Sequence, residues 1–265
     1  MNQSNPMTAT LSRPRFTTLR SIMALILREM ASTYGRSPGG YLWAVLEPLG
    51  AIAIMALGFS LMIHKPSLGS NFMLFYATGF LPIHIYGELS TKVMNTLRYS
   101  RMLLAYPRVL WIDAILARVA LHLLTGIVVS ILVLGGIIVT TTARADIDPV
   151  PIAQGIGMVA LIGAGMGTLN CYLTGRFEFW GRIWAIASRP IFFASGVFFL
   201  LDNVTEPLRT WLWWNPLIHG VGLVRAGFYP TYEATYASLT YGYSFGLIAL
   251  VLGLILLRAN HDRIL

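Results

Sequence analysis

Cysteine and lysine are almost missing: Cys171 is the single cysteine among 265 residues, and Lys65 and Lys92 are the only lysines. One cysteine excludes a disulfide within the chain, and a small thiol inside an apolar stretch serves packing far more often than chemistry. Neither lysine stands in a Gly-x-x-x-x-Gly-Lys-Ser/Thr phosphate loop, so the chain cannot hydrolyse ATP by that route. The five histidines, His64, His84, His122, His219 and His261, have no metal-ligand spacing, and no His-Glu-x-x-His sequence occurs. Charge is scarce too: 11% of residues are charged and 56% apolar, with a mean hydropathy of +0.66. That leaves too little polar surface to coat a water-soluble globule, so lipid must be part of the solvent.

What is abundant is long apolar sequence. Five stretches stand out, Tyr41 to Ile63, Phe72 to Leu89, Val119 to Val139, Ile152 to Thr174 and Ile183 to Leu201, with a sixth from Tyr241 to Leu257. Each can cross a hydrocarbon core that needs roughly 20 helical residues, the shorter ones with their flanks. No remaining stretch is long enough for a soluble catalytic domain. The expected fold is therefore all-α: a polytopic membrane protein of six transmembrane helices. Residues 1–39 form an N-terminal cytoplasmic segment and residues 40–265 the membrane domain. Met1 to Thr18 lacks the apolar core of a secretory signal, so no cleaved leader is expected.

Within the N-terminal segment, Phe16, Leu19, Ile22, Met23, Ile26, Leu27 and Met30 share one helical face, opposite Arg20, Arg28 and Glu29. This predicts an amphipathic helix lying on the inner leaflet, ended by Ser37, Pro38, Gly39 and Gly40. Apolar character from Val109 to Val139 outlasts one span, and Asp113 and Arg118 interrupt its first third, which predicts a helical extension into span three. The segment 202–240 is too apolar for an ordinary loop. Trp211, Trp213 and Trp214 suit the membrane interface, and Asn215-Pro216 and, more weakly, Thr205-Glu206-Pro207 read as helix starts. Two short re-entrant helices before the last span are expected there.

Orientation follows from the basic residues, which accumulate in short cytoplasmic loops. With both termini inside, thirteen of the nineteen lysines and arginines fall in inner segments, and only Lys65, Arg144, Arg209 and Arg225 fall outside. The net charge of +8 is thereby explained by topology, without a nucleic-acid partner.

Polar groups inside the spans carry what functional signal there is. Glu47 and Arg189 each lie about two turns inside a cytoplasmic entrance, where an unpaired charge costs several kcal/mol unless it is wet. Arg118 and Arg36 lie at similar depth or just below. With Tyr34, Tyr41 and Trp43, whose rings can stack on sugars or simply form an interfacial belt, they ring the inner mouth with cations and aromatics. His84 and Glu88, like Arg118 and His122, are one helical turn apart. That is the spacing of a proton relay, and equally of polar side chains facing a watery interior.

The run Arg28 to Pro48, REMASTYGRSPGGYLWAVLEP, joins an amphipathic helix end, a basic-aromatic turn and a span containing Trp43, Glu47 and Pro48. It resembles the membrane subunit of type-2 ABC exporters, specifically the permeases that export capsular polysaccharide in Gram-negative bacteria. The likeness continues through Leu103, Leu104, Tyr106, Pro107 and Arg108, then Arg189, Pro190 and Phe193, and finally Asn215, Pro216, Leu217, His219 and Arg225. It covers nearly the whole chain. One departure is Gly222, where related permeases often carry an acidic residue shortly before the last arginine.

The resemblance implies an inner-membrane protein that works with a second copy of itself and two cytoplasmic ATPase subunits, which hold ATP and magnesium. It implies no cofactor in this chain, a lipid-linked polysaccharide as cargo, and allows a periplasmic export partner. The ATPase is expected against Arg28 of the N-terminal helix, the loop carrying Arg98, Arg101 and Arg108, and the loop carrying Arg176, Phe177, Glu178, Trp180 and Arg182. The substrate path implied is the inner mouth: Tyr34, Arg36, Tyr41, Trp43, Glu47, Arg118 and Arg189. Three rivals stand beside it. A secondary transporter needs central acidic sites on interrupted helices, and Glu47 alone supplies little of that. An intramembrane enzyme needs a converging nucleophile and base, and no such pair is identifiable. A type-2 ABC permease for O-antigen, teichoic acid or a drug would share the fold and differ in cargo.

Overall fold

A computed structural model describes the backbone of residues 17–34, 39–104, 110–141 and 147–264, and their side chains except 17–21, 32–34, 102–104 and 261–264. The described chain is helical throughout: α1 (Thr17–Tyr34), α2 (Gly40–Met62), α3 (Phe72–Met94), α4 (Thr96–Leu104), α5 (Trp111–Thr140), α6 (Pro149–Arg176), α7 (Trp180–Phe193), α8 (Leu208–Trp213), α9 (Pro216–Phe228) and α10 (Leu239–Ile264). A 3-10 turn at Leu201–Asn203 separates α7 from α8.

The helix starts follow local chemistry. Gly39 takes φ +78°, a left-handed conformation that glycine adopts without a Cβ penalty, and α2 begins at the next residue. Asn71 caps α3 by accepting from the Leu74 N–H at 3.2 Å. Asp148 and Asn215 do the same for α6 and α9, each followed by proline at the first helical position, whose missing N–H costs nothing there.

Among the described residues, four helices are long and apolar enough to cross a membrane: α2, α5, α6 and the Leu239–Asn260 part of α10. At 23 residues α3 has the length, but His84, Glu88 and Lys92 lower its apolarity. The 14 residues of α7 reach only about 21 Å, short of a hydrocarbon core of roughly 30 Å. The fifth apolar stretch, expected as one helix from Ile183 to Leu201, therefore breaks. Pro190 lies inside the last turn, and Gly196 at φ +81° turns the chain out of helical geometry.

The core centres on α6, which packs against α3, α9 and α10, with α5 and α2 laid on α3. Small residues let backbones approach: a Cβ on Gly165 would collide with the carbonyl of Gly246, so α6 and α10 meet main chain to main chain. By contrast α2 buries only Pro48, Ile52 and Ala56, and turns Leu42, Ile54, Leu57 and Leu61 outward. That much exposed apolar surface on a long helix needs lipid or another chain.

The broken segment after α7 is held by one side chain. Arg225 of α9, only 2% exposed, donates to the carbonyls of Gly196 (2.6 Å), Val197 (2.8 Å) and Phe199 (2.9 Å) and lies 4.3 Å over the Phe75 ring. Buried backbone carbonyls outside a helix need partners, and a guanidinium carries enough donors for three of them. This settles the departure at Gly222. Arg225 pairs with backbone rather than a carboxylate, and a Cβ on Gly222 would run into the Tyr236 hydroxyl.

The N-terminal helix packs with a face that includes Leu25 and Glu29. Its partly buried side chains are Ile22, Leu25, Ile26, Glu29 and Met30, while Met23 and Leu27 are exposed apolar residues. Glu29, expected on the polar face, turns inward because Arg118 of α5 needs a counter-charge: Glu29 Oε1 lies 2.9 Å from Arg118 Nη2.

Candidate functional site

The alternation of α2, α3, α5, α6 and α7 brings the start of α2, the end of α3, α4, the start of α5, the α6–α7 turn and the C-terminus of α10 to one end of the molecule. Two concave sites lie at or near this basic end.

The first is a cavity of about 300 Å³ between α2, α3 and α5. From α2 come Trp43, 61% exposed, and Glu47, one helical turn on and about 10 Å along from Gly40. Along α3, His84, Glu88 and Lys92 are spaced four apart and so share a face; α5 adds His122 and Thr125. Glu88 is bracketed, with Lys92 Nζ at 3.8 Å and His122 Nδ1 at 4.0 Å. His122 is only 3% exposed, and its Nε2 has no hydrogen-bond partner among the described residues. Two of the expected path residues, Trp43 and Glu47, thus share a cavity with five polar residues that the sequence reading did not assign to it. The available signal was the four-residue rhythm of His84, Glu88 and Lys92 on one span.

The other expected path residues are dispersed. Tyr41 is exposed in the first turn of α2. Arg189 is exposed on α7 and does not line the cavity, and among the described residues no ion pair joins it to Glu47. Arg118 is buried beside the cavity. Besides Glu29, it donates to the Lys92 carbonyl at 2.9 Å and lies 5.1 Å over the Tyr99 ring, so one guanidinium ties α1, the end of α3 and α4 to α5. Arg36 and the side chain of Tyr34 lie outside the described residues.

The second site is a groove of about 710 Å³ between the α3–α4 junction and the α6–α7 turn. Arg98 and Arg101 of α4 line one side, and Glu178 and Arg182 the other. Four of the residues expected to meet an ATPase therefore share one concavity. Arg176 and Phe177 are exposed beside it, the guanidinium 5.5 Å over the ring. Trp180 instead turns inward and donates from Nε1 to Asn170 Oδ1 at 2.9 Å, fixing the turn to α6. Arg28 is exposed on α1, and Arg108 lies outside the described residues.

Comparison with known proteins adds to this geometry. The polysialic acid transport protein KpsM of Escherichia coli is 28% identical over 248 residues, covering 92% of this chain and 95% of the relative. The capsule polysaccharide export inner-membrane protein CtrC of Neisseria meningitidis serogroup A is 26% identical over 235 residues, 89% of each chain. The capsule polysaccharide export inner-membrane protein BexB of Haemophilus influenzae is 25% identical over 239 residues, 90% of each. Residues 20–229, from α1 through the Arg225 pin to the end of α9, match the ABC-2 type transporter family, and the chain belongs to that family.

Proposed function

We propose that this chain is the transmembrane subunit of an ATP-driven exporter that carries a lipid-linked capsular polysaccharide across the bacterial inner membrane. The observation that carries the reading is the nearly full-length similarity to inner-membrane proteins named for capsule polysaccharide export. Six crossings are formed by α2, α3, α5, α6, α7 with its pinned extension to Leu201, and α10. Residues 1–39 precede the membrane domain of 40–265, with α1 on the inner leaflet and α8 and α9 re-entering from the periplasmic side. Both termini are cytoplasmic, because that orientation puts Arg98, Arg101, Arg176 and Arg182 inside.

In this reading two copies pair through a two-fold axis, and the exposed faces of α2 and α7 enclose the path. Arg36 and Arg189 attract acidic groups of the cargo, Trp43 guides it by stacking, and weak repeated contacts let each unit move on. The α4/α6–α7 groove receives a separate ATPase subunit that holds ATP and magnesium, with one such subunit for each copy of the chain. Affinity purification from native membranes tests this. The chain alone hydrolyses no ATP, and it brings down an ATPase and lipid-linked glycan. Robust hydrolysis by the isolated chain, or a stable preparation without either companion, overturns it.

A further inference from the structure

The cavity between α2, α3 and α5 holds chemistry that a mouth for acidic groups does not need. Besides its two imidazoles, the charged groups among its described lining residues are the carboxylates of Glu47 and Glu88 and the single ammonium of Lys92. A bare carboxylate or phosphate entering it meets two like charges at close range, and gains only an ammonium already engaged with Glu88 at 3.8 Å. The same walls mix acceptors and donors: two carboxylates line them alongside an ammonium, two imidazoles and the Thr125 hydroxyl. Trp43 adds an exposed aromatic face at the rim. One flat apolar face with polar groups of both kinds around it matches a ring that is apolar on its face and carries hydroxyls at its edge.

We infer that this cavity is a subsite for one uncharged, hydroxyl-bearing sugar ring, with Glu47 and Glu88 as specificity-determining residues that read its hydroxyls while Trp43 stacks on its face. The inference rests on the glycan-export reading and deepens it by naming the chemical class of one unit of the cargo. At about 300 Å³ the cavity is at the lower end of small-molecule sites, and takes a single ring rather than a folded segment of polymer. Glu88 has Lys92 Nζ at 3.8 Å as an ion-pair partner and His122 Nδ1 at 4.0 Å beside it. Acidic groups of the same polymer remain outside, where Arg189 is exposed.

The test uses the full-length chain in lipid nanodiscs, with the ATPase that copurifies. The probes are neutral tetrasaccharides of glucose, galactose and N-acetylglucosamine, and tetragalacturonate as the acidic counterpart. Saturation-transfer NMR reads binding. At least one neutral probe binds, and more tightly than tetragalacturonate. Trp43→Ala and Glu88→Gln each weaken it by about tenfold, the loss of one stacking or charged hydrogen-bond contact. Glu47→Gln, which unpairs no ion pair among the described residues, weakens it several-fold without a change in melting temperature. Leu132→Ala, on an exposed apolar face of α5, leaves it unchanged. The inference is overturned if no neutral probe binds, if the acidic probe binds more tightly, or if neutral binding survives Trp43→Ala and Glu88→Gln undiminished. Surface polysaccharide measured in parallel separates the two claims. Intact export without neutral-sugar binding overturns the subsite alone, whereas neutral-sugar binding by a chain that supports no glycan export overturns the export reading and leaves the subsite standing.

Discussion

Replacing Arg225 with methionine keeps an unbranched, buried side chain but withdraws every donor from the segment after α7. The carbonyls of Gly196, Val197 and Phe199 then stay buried without their partner. Each unpaired carbonyl costs about 1–3 kcal/mol. Relief of the guanidinium's own desolvation offsets part of that sum, leaving about 3–5 kcal/mol, the range for removing one partner of a buried charged contact. For a chain of this length, roughly 2–4 °C per kcal/mol converts this to a fall in apparent Tm of about 10 °C. Arg225→Lys keeps the charge but not the planar fork that spans three carbonyls, and falls between the two. The assay is heating in mild detergent followed by fluorescence-detected size exclusion. If Arg225→Met melts within about 2 °C of the wild type, against the fall expected on the same scale, the pin is not what holds the broken segment.

Other expectations follow from separate contacts. Arg118→Met and Glu29→Gln each lower Tm, and the double variant costs at least about 1 kcal/mol less than their sum, because both remove one buried ion pair; strict additivity in a double-mutant cycle would refute the pairing. Gly165→Ala forces α6 from α10 and costs about 1–3 kcal/mol, whereas Gly135→Ala, with nothing within 4 Å of its Cβ, is neutral or stabilising; equal melting of the two variants would contradict the close approach. In a Cys171→Ser background, a cysteine at Glu206 reacts with an impermeant maleimide from the periplasm and one at Arg182 does not. The reverse pattern inverts the proposed topology.

Much of the helical layout was legible in the sequence because the signals are local. Apolar length located α2, α5, α6 and α10, and the Asn215-Pro216 pair marked the start of α9 within the chemistry of two residues. What was not legible depends on contacts distant in sequence. The break at Gly196 reads as apolar chain like any span; it is sustained by an arginine 29 residues further on. Glu29 reads as a surface charge until α5 supplies Arg118. The cavity is the same case: Trp43 and Glu47 were identified as functional from α2 alone, and His84 and Glu88 as a pair from α3 alone. Only the packing of α2 and α5 on α3 puts them around one space. Glu47 and Arg189, set at similar depth by the sequence, are not joined by an ion pair among the described residues.

The most direct test of the central claim is the amount of polysaccharide at the surface of cells that lack this chain, quantified with and without a plasmid copy. Loss of surface polysaccharide with glycan retained inside the cell, restored by the intact chain, is the result predicted for a capsule exporter's membrane subunit. Unchanged surface polysaccharide in cells without the chain would contradict it.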